Sequence, residues 1–181
     1  MIEDPTAVTV ECWSRNTTEP TVIAWQESVY ERLREYANSD RIARLETNTW
    51  SKCIRCPTAS DDRTETCANK CWETYCQFED WATSTGYDLE PGFRRYERSS
   101  LASSESCEPV VVPVVSLAVY SEDELGAVFP CSTTDRVWTV EDGLAVIDPD
   151  HSVGWADIAT EPVTGVSDTS EQEVRRDTST S

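Results

Sequence analysis

Lysine is almost missing from this chain: Lys52 and Lys70 are the only two among fifteen basic residues, the other thirteen being arginine. Histidine occurs once, at His151, and glycine six times in 181 residues. Each scarcity excludes a class of chemistry. With its one imidazole at the edge of an acidic C-terminal stretch, the chain has no histidine base placed to activate a Ser or Cys nucleophile. The few glycines form no phosphate-cradling loop. No run approaches the roughly 18 apolar residues of a membrane span; the longest, Val110 to Val115, is broken by Pro113. The opening Met1-Ile2-Glu3-Asp4-Pro5 has no basic segment leading into an apolar one, which predicts a cytoplasmic protein rather than a secreted one.

What is abundant is negative charge. Thirty-four Asp and Glu give a formal charge of −19 and a pI near 4.2. In dilute buffer that charge works against compaction by self-repulsion. In molar salt the screening length falls to about 3 Å, and the same groups keep the surface hydrated. Composition therefore points to an intracellular, halophilic protein of a salt-accumulating organism. The alternative is an ordinary acidic protein with a disordered tail.

Residues 1–148 are expected to form a single α+β domain and residues 149–181 a disordered acidic tail. In the tail Val163, Val166 and Val174 are too sparse to offset ordering entropy. In the domain, alternation of Val8, Val10 and Cys12 with Thr9, Glu11 and Trp13 predicts a strand over Ala7 to Trp13. Pro20 suits a first helical turn, and Val22, Gln26, Val29, Leu33 and Tyr36 share the buried face of the helix it opens, which Asn38-Ser39-Asp40 stops. Leu45 to Ile54 reads as a second strand. A second long helix is predicted at Glu65 to Thr83, with Ala68, Cys71, Trp72, Tyr75, Phe78 and Ala82 as its stripe and Gly86 as its stop. Val110 to Tyr120 and Leu125 to Phe129 read as a hairpin around Ser121-Glu122-Asp123-Glu124. Thr139 and Asp142 form a capping box for a short helix to Ile147. Together these elements predict two long helices packed on one face of a mainly antiparallel sheet, a ferredoxin-like arrangement. Trp25, Trp72 and Trp81 are expected to face the sheet.

The sharpest chemical pattern is Cys53-Ile54-Arg55-Cys56 followed by Cys67 and Cys71, a C-x2-C-x10-C-x3-C spacing. Cys67 and Cys71 lie one helical turn apart on the same face, and four such thiolates can build a tetrahedral zinc site. Cys76 is rotated about 140° from Cys71 and is a poor substitute. A second reading makes Cys53 and Cys56 a redox pair, although Pro57 and a loop part them from the next helix N-terminus that would activate a thiolate. A third makes all four small buried hydrophobes, as Cys12, Cys107 and Cys131 are expected to be. The cofactor is accordingly none or a structural zinc ion. Asp61-Asp62 and Glu122-Asp123-Glu124 read as solvated turns rather than cation sites. The absence of any catalytic constellation predicts a non-enzymatic module, whose protein partner or small ligand the sequence does not name.

Three segments carry a family resemblance: Val111-Val112-Pro113-Val114-Val115-Ser116-Leu117-Ala118-Val119-Tyr120, Glu124-Leu125-Gly126-Ala127-Val128-Phe129-Pro130, and Trp138-Thr139-Val140-Glu141-Asp142-Gly143-Leu144. With the opening strand, the Glu31-Arg32-Leu33 helix and Phe78-Glu79-Asp80-Trp81-Ala82, they resemble a family of small haloarchaeal proteins described as helix-turn-helix domain proteins. The resemblance spans roughly Val8 to Ile147 and implies a DNA-associated transcriptional regulator. The chain departs from that label in two ways. A helix-turn-helix needs two helices joined by three or four residues, whereas the two long predicted helices stand more than twenty apart. Phosphate binding also wants clustered cations, and the groups present, Arg32, Arg34, Arg41 and Arg44, then Arg94, Arg95 and Arg98, lie in a chain of the wrong overall sign. DNA as a partner follows from the resemblance and is not supported by the charge.

Overall fold

In a computed structural model of the chain, residues 8–57, 65–96 and 108–148 are described. The elements follow in the order β1 (Val8–Arg15), α1 (Pro20–Asn38), β2 (Ile42–Trp50), β3 (Cys53–Ile54), α2 (Glu65–Thr85), β4 (Arg94–Arg95), β5 (Val110–Val111), β6 (Val115–Ser121), β7 (Glu124–Phe129), β8 (Cys131–Ser132), β9 (Val137–Trp138) and α3 (Val140–Ile147). The expected tail from residue 149, and with it His151, lies outside the described residues, as do Asp61-Asp62 and Cys107.

The main sheet has four strands in the order β2-β1-β6-β7. β1 and β2 run parallel, joined through α1, and the other pairings are antiparallel, so the sheet is mainly antiparallel as expected. It is not ferredoxin-like, because the strands flanking the α1 crossover are direct neighbours with no strand between them. The two expected long helices and the expected short one all form among the described residues, but the long ones do not share a face. Cβ alternation separates the two sides of the sheet. Val8, Val10 and Cys12 of β1 align with Val119 and Leu117 of β6, and Leu117 aligns with Phe129 of β7. On that side lie α1, whose Tyr30 hydroxyl bonds with Cys12 and Ser14, and α3, whose Gly143 backs onto the Phe129 ring. The other side carries Trp13, Ser116, Ala118 and Val128, and there α2 packs. Its Trp81 indole donates to the Gly126 carbonyl at 3.1 Å, and its Phe78 meets Trp50 in a chain of rings that reaches Trp13. β6 is consequently buried on both faces over Val115 to Val119, the mark of a strand covered on two sides.

The buried face of α1 is the one its periodicity marks: Gln26, Val29, Leu33 and Tyr36. Gln26 is the polar member, and its side-chain amide donates to the carbonyls of Arg15 (2.9 Å) and Val114 (3.0 Å), filling acceptors where β1 ends and β6 begins. The stripe of α2 is buried at Cys71, Tyr75, Phe78, Trp81 and Ala82, while Ala68 is exposed and Trp72 half-buried. α3 opens on the expected capping box, with the Thr139 hydroxyl accepting from the Asp142 N–H and the Asp142 carboxylate accepting from the Thr139 N–H. The β6–β7 hairpin turns on Glu122 and Asp123, both at positive φ (50° and 70°), the pairing a tight two-residue hairpin needs.

Two expected strands are each divided. Leu45 to Ile54 separates at Ser51-Lys52 into β2, which pairs with β1, and β3, which pairs with β5 in a small sheet of order β3-β5-β4. Val110 to Tyr120 separates at Pro113, which has no N–H to continue a ladder. The residues beside it bond elsewhere: the Val112 N–H donates to Lys52 O and Val114 O accepts from the Arg15 N–H.

Candidate functional site

The divided second strand creates the most distinctive surface. β2 ends at Trp50, whose carbonyl accepts from the Asn16 N–H, and the chain turns at Ser51-Lys52 into β3. Between this corner and the first turns of α2 lies a cleft of about 430 Å³. Cys53, Cys56, Cys67 and Cys71 all line it, together with Trp50, Ile54, Arg55 and Asn69. The turn-borne pair and the helix-borne pair thus line one opening.

They do not meet at one point. Among the described residues no group of three or more His, Cys, Asp or Glu side chains is gathered so as to hold a metal ion. The four thiols also differ in surroundings: Cys53 and Cys67 are exposed, Cys56 is half-buried and Cys71 is buried. Burial raises the pKa of Cys71 above the ordinary thiol range, the adjacent Cys67 adds to the rise, and Lys70 opposes it. Cys71 is thus held as a neutral packing thiol, and the two exposed groups are the ones reagents reach. Cys12 and Cys131 behave as predicted, buried with their thiols pushed up to about 12 by desolvation.

Trp50, in the cleft lining, belongs to an aromatic cluster behind it. Trp50 sits 4.9 Å from Trp13 between ring centroids and meets Phe78 and Phe93 edge-on at 6.3 and 5.5 Å. Although only 2% of Trp50 is exposed, its indole N–H has no hydrogen-bond partner, and neither does the buried side-chain oxygen of Asn69. Two unsatisfied polar atoms on residues of one cleft are uncommon in a folded protein, where buried polar groups are nearly always paired. Sequence reasoning missed Trp50, Arg55 and Asn69; only the position of Arg55 between Cys53 and Cys56 was a visible signal.

A second set of polar side chains was also missed. The Tyr75 hydroxyl donates to the Glu79 carboxylate at 2.9 Å, and the Arg95 guanidinium bonds both. Burial holds the Tyr75 hydroxyl up at about 12, Arg95 acts to lower it, and Glu79 acts to raise it. The i,i+4 spacing of Tyr75 and Glu79 was legible, but their partner from β4 was not.

The arginines mostly face carboxylates. Arg32 pairs with Glu141, Arg41 with Asp148 (3.0 Å), Arg44 with Glu46 (2.6 Å), Arg95 with Glu79 and Arg136 with Asp142 (3.0 Å). Four of the seven arginines weighed above as phosphate contacts, Arg32, Arg41, Arg44 and Arg95, are thereby tied to acidic groups. Arg94 donates to the Pro91 carbonyl, and Arg98 lies outside the described residues. No two described helices are joined by a short turn, since β2 and β3 intervene between α1 and α2, and six strands between α2 and α3. No helix among the described residues is long and apolar enough to cross a membrane.

The fold and cleft define a mixed α+β domain with a helix-covered sheet and a thiol-lined opening at one corner. A family described as helix-turn-helix domain matches residues 2–152, which takes in every described element, and the chain belongs to that family. No curated protein and no solved structure matches it significantly.

Proposed function

We propose that this protein is a non-enzymatic regulatory module acting at the level of DNA-associated control, in a cell that keeps high internal salt. Membership of a helix-turn-helix domain family over residues 2–152 is the observation that carries the reading. The charge distribution supports a particular way of working. With Arg32, Arg41, Arg44, Arg95 and Arg136 engaged by carboxylates, the described surface gathers few free cations for phosphate, and electrostatic attraction to DNA has the wrong overall sign. The module then acts as the sensing or partner-contacting part of a regulator, and direct reading of base edges is not its task. Nothing in this role needs a catalytic base, in keeping with the lack of a histidine in the domain.

The test is deletion of the gene in its host, followed by transcript measurement at native salt. A reproducible change in a limited set of transcripts, restored by returning the gene, is the expected result. Unchanged transcripts across growth phases, salinities and oxidative challenge would remove the regulatory reading.

A further inference from the structure

The thiol-lined cleft has features that packing alone does not account for. Its volume of about 430 Å³ falls in the range of small-molecule sites. Its lining brings together two exposed sulfurs, Cys53 and Cys67, the exposed Arg55, and Trp50 and Asn69, whose indole N–H and amide oxygen are buried with no partner among the described residues. A metal ion would use the sulfurs and leave the indole donor and the arginine idle, and no three ligands are gathered for one. A ligand that uses the whole set has a hydrogen-bond acceptor for Trp50, an N–H for Asn69, a carboxylate for Arg55 and a sulfur that a thiol can attack.

We propose that the cleft binds a low-molecular-weight disulfide bearing amide and carboxylate groups, and is modified by it at Cys53 or Cys67. The deprotonated cysteine sulfur attacks one sulfur of the ligand. The ligand's S–S bond breaks, a protein–ligand S–S bond forms, and the departing half leaves as a thiolate that takes up the proton the cysteine gave up. The ligand disulfide is the oxidant, one cysteine is oxidised, and one small thiol is released; excess small thiol reverses the step. The adduct fills the opening between the β2–β3 corner and the first turns of α2, so the state of the cleft follows the thiol–disulfide balance of the cell. This deepens the regulatory reading by naming what the module senses, and its test below reads mass rather than transcription, so either can fail without the other.

The experiment uses the full chain in molar KCl, where screening removes the repulsion between an anionic reagent and an acidic protein. Oxidised glutathione is the probe and bis(2-hydroxyethyl) disulfide, which lacks carboxylate and amide, is the control; intact mass and peptide mapping follow the reaction. A single adduct at Cys53 or Cys67 is expected. Arg55→Gln and Trp50→Phe should each slow reaction with oxidised glutathione about tenfold, the loss of one charge-assisted or buried hydrogen bond, and leave the neutral disulfide's rate unchanged. Arg55 is exposed, so its variant keeps the test valid if Trp50→Phe disturbs the aromatic cluster. Adducts spread over cysteines elsewhere in the chain, or equal rates for parent and Arg55→Gln with both reagents, would overturn the proposal.

Discussion

Gly143 offers the most direct check on the packing of α3 against the sheet. A β-carbon built there would lie 2.7 and 2.8 Å from Cδ2 and Cγ of Phe129 and 3.2 Å from its Cβ. Comfortable carbon–carbon contact begins near 3.5 Å, so the overlap is about 0.7 Å. The crowded atoms are the root of the ring rather than a flexible tip, and Phe129 is fully buried and fixed by its pairing with Leu117. Overpacking of this kind costs about 1–3 kcal/mol, and the rigid neighbour places the cost at the upper end. Replacing glycine by alanine inside a helix returns about 0.8–1.0 kcal/mol. Gly143→Ala is therefore expected to destabilise by about 2 kcal/mol. For a domain of this size that lowers Tm by about 4–8 °C. Thermal unfolding followed by circular dichroism at native salt measures it, with Phe129→Leu and the double variant completing a cycle. In the Phe129→Leu background the overlap is relieved, and the alanine should be neutral or stabilising, a coupling above 1 kcal/mol. A Tm for Gly143→Ala at or above that of the parent would refute the argument, because helix propensity would then outweigh a contact held here to be rigid.

Four further outcomes are expected. Twenty-one of the thirty-four acidic residues lie among the described residues, so the repulsion acts on folded elements and Tm should climb with KCl from dilute to molar; identical melting curves would show that screening contributes nothing. Cys12 and Cys131 have folded pKa values raised to about 12 from an ordinary 9.0, so their contribution is whole below pH 9 and is lost as pH rises toward 12. Tm measured from pH 8 to 11 should fall above 9, more steeply in the parent than in Cys12→Ala or Cys131→Ala. Cys71→Ser is expected to cost about 1–2 kcal/mol as the loss of a buried thiol, without release of metal, and stoichiometric zinc in protein never exposed to a metal-affinity column would contradict this. Fluorescence anisotropy with duplex DNA should detect no saturable binding by the chain alone at 0.2 M salt; binding with a steep salt slope would mean that cations outside the described residues make the phosphate contacts.

The chain announces its local structure well and its layering poorly. The alternation in β1, the α1 stripe and the Thr139–Asp142 box each rest on neighbours in sequence, and each appears within a few residues of where periodicity puts it. The division at Ser51-Lys52 was hidden because Trp50 and Ile54 are both buried, in different sheets, and a run of strand formers does not say which ladder it joins. Pro113 was a legible signal of the other division. The placement of α1 and α2 on opposite faces is a tertiary fact, yet β6 carried a trace of it: Ser116 and Ala118 are small residues alternating with Val115, Leu117 and Val119, as a strand covered on both sides permits. The cysteine spacing singled out four thiols that the structure places at one opening. It could not reveal that they stop short of a common point, or that Trp50 brings an unmet donor to the same place.

The position of β1 bears on how the chain reaches this fold. β1 is an inner strand, yet its two neighbours arrive at very different times: β2 follows within the first fifty residues, and β6 begins only at Val115. During synthesis β1, α1 and β2 can assemble as a unit while the other edge of β1 stays open for some sixty-five residues more. Contacts of such long sequence separation slow folding, and an open apolar edge is a template for pairing with another chain. Thr9 and Glu11, which alternate with the apolar residues of that strand, put a polar group and a charge on the waiting ribbon, and a charge on an open strand disfavours such pairing until β6 closes the sheet.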